Sequence, residues 1–218
     1  MKNTPKCILC TLLGFVTGVA ALFLFLRFSD TQNVDRLLGN LTPETKVCLD
    51  ECGPEQLSGL AFEVAGYIKN HDYRALSKMV HPEYGVIISP YATISLSSNK
   101  CFTRVDVSGF VDDKSSYIWG IADGVGNPIE MTPDNYFSEY VYDYDYVNSS
   151  VIGINRIIKS GNSLENLSEM FPECQFVDLH NPGTAEMEYA DWSTLRLVFE
   201  EYDGVLMLTA IIHSESTL

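Results

Sequence analysis

The sequence predicts an α+β protein: an N-terminal transmembrane helix, then one domain with a mainly antiparallel sheet packed by helices. Three observations predict it. Ile8 to Leu26 is an unbroken apolar run of nineteen residues. At about 1.5 Å per helical residue it spans roughly 28 Å, the hydrocarbon thickness of a bilayer. Pro54 to Asn70 repeats apolar residues at helical steps. The chain closes on two strand-like runs around a glycine turn.

Lys2 and Lys6 precede the apolar run and Arg27 follows it. The lysine-rich side stays in the cytosol, which places the rest of the chain outside a cell membrane crossed once. The alternative is a signal peptide that is removed. Against it, the small triplets Gly18-Val19-Ala20 and Val19-Ala20-Ala21 lie inside the run rather than after it. Residues 1–28 thus read as a cytosolic stub and anchor in the lipid bilayer. Residues 29–47 read as a stalk, with Val34, Leu37, Leu38 and Leu41 at near-helical spacing, and 48–218 as an extracytoplasmic domain.

The chain has 14 Lys and Arg against 29 Asp and Glu, a net charge of −15. Residues 1–27 hold three basic and no acidic residues, so the remainder carries 11 against 29, or −18. Such a surface repels phosphate backbones and excludes nucleic acid as a natural partner. At 46% hydrophobic and 11% aromatic residues, the chain can bury a core.

Of six cysteines, Cys7 and Cys10 fall at the cytosolic end of the anchor. Outside it, Cys48, Cys52, Cys101 and Cys174 allow three pairings. Cys48–Cys52 with Cys101–Cys174 is preferred, because Gly53-Pro54 lets the chain turn beside the close pair. Free thiols are the alternative. A metal site is not expected, since Cys-x-x-x-Cys has no matching second half.

The first domain helix carries Leu57, Leu60, Ala61, Val64 and Ile68, with Pro54 in its first turn. Asp72 caps a second, bearing Leu76, Met79 and Val80 and stopped at His81-Pro82. Strands are expected at Val86–Ser89, Thr93–Leu96, Phe102–Val107 and Tyr117–Ala122. Thr132-Pro133-Asp134 opens a helix whose apolar stripe is Tyr136, Phe137, Tyr140, Val141 and Tyr144. A loop through Gly153, Gly161 and Asn162 leads to a short helix at Leu164–Met170 and a strand at Gln175–His180. Leu195–Glu201, the turn Tyr202-Asp203-Gly204 and Val205–His213 form the closing hairpin.

This order, best over Pro54–His81 and Thr194–His213, is similar to the nuclear transport factor 2-like (cystatin-like) fold. The resemblance implies a sheet curved into a cone and closed by helices. His81-Pro82-Glu83-Tyr84-Gly85-Val86, Ser89-Pro90-Tyr91-Ala92 and Asp191-Trp192-Ser193-Thr194-Leu195-Arg196-Leu197-Val198-Phe199-Glu200 also resemble an uncharacterised group of bacterial exported, membrane-anchored proteins. Val141-Tyr142-Asp143, Ile152-Gly153-Ile154-Asn155 and Ile211-Ile212-His213 fit that group too. Where the group has tryptophans, this chain has Leu206 or Met207 and Ser216.

Four residues are the candidates for acid–base chemistry. His81, His180 and His213 each end a helix or strand, where a cone places its rim, and Asp178 is their nearest carboxylate candidate. The competing reading is that they satisfy backbone groups. Arg196 interrupts Leu195-Arg196-Leu197-Val198-Phe199 and shares a strand face with Thr194 and Val198. A guanidinium on a buried face needs a carboxylate, Asp178 first, and with it forms either a ligand site or a structural ion pair. Asp143 and Asp145 point about 200° apart at helical spacing and read as a solvated acidic face. No nucleophile motif and no cofactor motif is present. The sequence therefore reads as a non-catalytic binder of a small ligand or protein partner. The alternative is a cone-pocket enzyme with isomerase- or hydrolase-like chemistry on a histidine and a carboxylate.

Overall fold

The computed structural model describes residues 53–123 and 126–216. Helix α1 (Pro54–Lys69) starts at a proline in its first turn and buries Leu57, Ala61, Val64, Ala65 and Ile68 on one face. Helix α2 (Tyr73–Met79) starts where the Asp72 carboxylate accepts from the Ala75 amide at 2.9 Å.

Among the described residues, no helix is long and apolar enough to cross a membrane. This corrects the expected fold class, in which a transmembrane helix leads the domain; what is described is an α+β domain with a mainly sheet core. Its longest helix, α1, is amphipathic rather than apolar all round. The anchor at Ile8–Leu26, the stalk at 29–47, and Cys48 and Cys52 lie outside the described residues.

The main sheet uses β1 (Val86–Ser89), β2 (Lys100–Phe102), β5 (Val151–Ile154), β6 (Gln175–Asn181), β7 (Ser193–Tyr202) and β8 (Val205–Glu215). Their order is β2-β1-β8-β7-β6-β5, all antiparallel except that β1 runs parallel to β8. Asp203 and Gly204 both take positive φ, which makes the two-residue β7–β8 turn match the strand twist. Strands β3 (Tyr117–Ile121) and β4 (Pro128–Met131) form a separate hairpin.

One face of the sheet packs α1, α2 and a large aromatic group, with Val177, Leu179, Leu195, Leu197, Phe199 and Ile211 pointing into it. The other buries Val198, Ala210 and Ile212 under Ile94 and Leu167. Strand β7 is consequently buried on both faces from Ser193 to Phe199.

Several elements differ from expectation for local reasons. Phe102–Val107 splits into β2 and helix α3 (Arg104–Ser108), because Thr103 and Asp106 form a reciprocal capping box. Thr93–Leu96 forms no strand; Asn166 bonds both the amide and the carbonyl of Ile94. Strand β5 stands where glycine suggested a loop. A Cβ on Gly153 would meet the Arg156 carbonyl at 2.2 Å, so glycine admits a close return of the chain. Helix α4 (Pro133–Tyr136) widens into a π-helical turn (Phe137–Val141), where the Tyr142 amide donates to the Phe137 carbonyl, instead of running to Tyr144.

Cys101 and Cys174 are free, so the expected Cys101–Cys174 bridge is not formed. Cys101 sits exposed on edge strand β2, its thiol donating to the Tyr84 carbonyl at 3.2 Å. Cys174 packs beneath the sheet with Val198 and Ala210. Alkylation of denatured, unreduced full-length chain should label both; label appearing at either only after reduction would overturn this.

Candidate functional site

Strand pairing sets Asp178 of β6 directly opposite Arg196 of β7, on the face away from α1. Arg196 is 1% exposed. Its Nε donates to Asp178 Oδ1 at 2.6 Å and its Nη2 to Oδ2 at 3.1 Å. Its Nη1 donates to Glu165 Oε2 at 2.7 Å, from the segment that covers this face. The Ile158 amide also donates to Asp178 Oδ2, at 3.1 Å. Burial pulls the guanidinium toward its neutral form, but Asp178 and Glu165 outweigh it and its pKa stays raised. With both carboxylates internal, the triad has the form of a structural clamp.

The three candidate histidines are not brought together. His81 is buried, its Nδ1 accepting from the amides of Glu83 at 3.2 Å and Tyr84 at 3.0 Å, with the ring stacked on Tyr84. His180 shares the strand face of Asp178, but its Nδ1 meets Thr194 Oγ1 at 2.7 Å. Burial, with help from Lys159, lowers the His180 pKa against the opposing pull of Asp178. His213 lies opposite Leu195 on the helix-packed face and is 1% exposed. Its carboxylate neighbour is Asp143, not Asp178.

A polar cluster forms around His213 because three segments end at the same rim. Strand β1 runs parallel to β8 with Ser89 beside Ile212, so Tyr91 comes alongside the end of β8. The π-helical turn packs against β8. It brings Asp143 Oδ1 to 3.2 Å from His213 Nε2 as an ion pair, and neither ring nitrogen has the geometry of a hydrogen bond. Tyr146 donates to Asp143 Oδ1 at 2.5 Å and accepts from Ser193 Oγ at 2.8 Å. Burial pushes the Asp143 carboxyl up, but His213 and the two hydroxyls hold it below the usual range. Glu215 is raised by burial, with Asp143 and Asp123 adding to the effect and His213 offsetting it.

Tyr136 lies near Tyr140, Tyr91 and Glu215. Its ring stacks on Trp119 at 4.0 Å and on Tyr140 at 5.6 Å. Its hydroxyl is buried without a hydrogen-bond partner. Burial, then Tyr140, Tyr91 and Glu215, holds its pKa well above that of free tyrosine.

Among the described residues, clefts open on the surface at two places of interest. One, of about 420 Å³, is lined by Tyr91, Ile121, Ala122, Asp123, Gly126 and Ser163. The second, about 350 Å³, lies over the Arg196 clamp and includes Glu165, Cys174 and Phe176. Burial lifts the Cys174 thiol to about 11, which leaves it protonated and unreactive at neutral pH. Among the described residues no group of three or more His, Cys, Asp or Glu is placed to hold a metal.

No family model, curated protein or solved structure matches this chain.

Sequence reasoning missed Asp143 and Glu215 as neighbours of His213. Tyr136 read as part of an apolar stripe; Asp143 read as part of a solvated acidic face, and it is exposed as a residue while its carboxylate also reaches His213. The parallel pairing of β1 with β8, which assembles the rim, leaves no local signal.

Two measurements test this geometry. Arg196→Met should cost roughly 3–5 kcal/mol in urea melts, since it leaves Asp178 buried and unpaired. Arg196→Met/Asp178→Leu should recover most of that, because Glu165 is partly exposed and can hydrate. Asp143, with its pKa depressed in the fold, contributes stability that is present above its unfolded pKa of about 3.9 and lost as pH falls through the lower folded value. Asp143→Asn should therefore destabilise at pH 7 and converge on wild type in acid.

Proposed function

We propose that the domain is a non-catalytic binding module that takes a small ligand in the rim cleft beside Tyr91. The observation that carries this reading is an open cleft of about 420 Å³ set against an interior already filled by aromatic rings. Trp119, Tyr136, Phe137, Phe110 and Tyr73 are all essentially inaccessible. A concave, partly apolar surface with a few converging polar groups is the common form of a small-ligand site. Tyr91, Ile121 and Asp123 supply those features. Two helices on one face and a first strand parallel to the last support a likeness to the nuclear transport factor 2-like fold. Fold alone assigns no activity.

One observation favours the enzyme alternative: His213 Nε2 and Asp143 Oδ1 lie 3.2 Å apart, as a histidine base and its orienting carboxylate would. The ring is buried, however, and lines neither cleft. A substrate in the rim cleft meets Tyr91 and Asp123 rather than a base.

Incubating the full-length chain with a metabolite mixture, then identifying what remains bound by native mass spectrometry, tests the proposal. Tyr91→Ala should lower occupancy of the retained compound by at least tenfold. His213→Asn should keep it. Retention unchanged in Tyr91→Ala would place the site elsewhere, and turnover of a compound that is lost in His213→Asn would favour the enzyme.

A further inference from the structure

We propose that the cleft over the Arg196 clamp is a second binding site, independent of the rim cleft, and that it takes a small neutral aromatic molecule. This cleft, of about 350 Å³, is lined by the apolar Ile157, Leu167, Phe171, Pro172, Cys174 and Phe176. Its volume falls at the lower end of small-ligand pockets, and a mostly apolar lining is their usual form.

The cleft is the open side of the smaller core. Ile94, Leu167, Val198, Ala210 and Ile212 form that core, and Phe171, Cys174 and Phe176 pack against it only partly buried. Those three residues line the cleft. An apolar ligand seated there removes their remaining surface from water. The walls are held before any ligand arrives. Helix α5 (Leu167–Met170) follows Asn166, whose side chain accepts from the Ile94 amide at 2.8 Å and donates to its carbonyl at 2.9 Å. Glu165 is fixed to Arg196 at 2.7 Å, and Asn155 Oδ1 accepts from the Phe176 amide at 2.8 Å. A preformed site spends little free energy on ordering when it fills.

Charge sets the class of ligand. Among the described residues lining the cleft, Glu165 alone is charged. Both of its oxygens are engaged, Oε2 by Arg196 Nη1 and Oε1 by the Leu167 amide at 3.2 Å. The one guanidinium already faces two carboxylates, so it leaves no positive charge for an anion. A cation would be desolvated against apolar walls beside a carboxylate that is already bonded. Aromatic shape follows from the rings present. Arg196 lies over the Phe176 ring at 5.3 Å and takes one of its faces, and Phe171 brings a second ring to the lining. Rings of this kind pair with a guest ring in offset or edge contacts.

Cys174 reports occupancy directly, because it lines the cleft while Cys101 lies exposed on β2. The native full-length chain is alkylated with iodoacetamide at about pH 9, where a fraction of each thiol is ionised. Peptide mass spectrometry then gives the rate at each cysteine. Indole should slow Cys174 saturably, by roughly fivefold or more at the plateau, and leave Cys101 unchanged. Indole-2-carboxylate and tryptamine should need at least tenfold higher concentrations, the cost of desolvating their charge. Ser168→Phe fills the cleft from an exposed position that lines it and should abolish the protection by indole. Phe171→Ala removes a lining ring and should raise the half-maximal indole concentration roughly threefold or more, so the test stands if Ser168→Phe unfolds in thermal melts. Tyr91→Ala should leave the protection intact. Absence of saturable protection by indole, equal slowing at Cys101, or equal protection by either ion overturns the proposal. Protection that is unchanged in both cleft variants also overturns it, and protection lost in Tyr91→Ala assigns indole to the rim cleft instead.

Discussion

Arg196 stands in the middle of a strand with no solvent side, and most of the architecture on its face answers that constraint. Strand β7 is buried on both faces from Ser193 to Phe199. A permanent positive charge there is tolerated only with carboxylates in direct contact. Asp178 comes from the neighbouring strand by register, and Glu165 from the segment laid across the face. The Ile158 amide anchors that same segment to Asp178. The ion triad thus fixes where the covering segment runs. Its route then places Gly161 against the end of β8 and Ser163 in the rim cleft.

The opposite face follows another rule. It is filled by aromatic rings in edge and stacked contacts, among them Tyr73–Phe137, Phe102–Phe110 and Trp119–Tyr136. Close packing leaves little space inside, so any ligand site on this face is displaced to the border of the sheet. There the tyrosines turn polar: Tyr146 bonds Asp143 and Ser193, and Tyr91 accepts from the Asp123 amide. The same residue type serves as core in one place and as rim in another, according to what its hydroxyl reaches.

This distribution explains what was legible in the sequence. The helices at Pro54–Lys69 and Tyr73–Met79 and the hairpin around Asp203-Gly204 each carry a complete local signal, through period, cap or turn. Arg196 and Asp178 were legible because period two places both on one face, while Glu165, thirty-one residues from Arg196, has no such mark. The expected transmembrane helix ahead of the domain was read from hydropathy alone. Asp143 read as part of a solvated acidic face and is exposed as a residue, but its contact with His213 had no sequence mark, because the chain leaves helical period at a π-helical turn. Strand β5 was hidden by a glycine kept for close backbone approach and not for a loop.

The π-helical turn is also where stability and binding diverge. An α-helical continuation would keep the i→i−4 ladder intact, whereas here the Tyr142 amide reaches back five residues to Phe137. In return Tyr136 stacks with Trp119 and Tyr140 with its hydroxyl unpaired, and Asp143 pairs with a buried histidine whose ring nitrogens make no hydrogen bond. Neither arrangement improves the fold, since unpaired buried polar atoms cost free energy. Glu215, lifted by burial beside two other acids, adds to the same cost. Polar groups kept under-satisfied at one rim, on a domain whose ion triad and backbone are otherwise well paired, are the mark of a surface shaped for something other than folding.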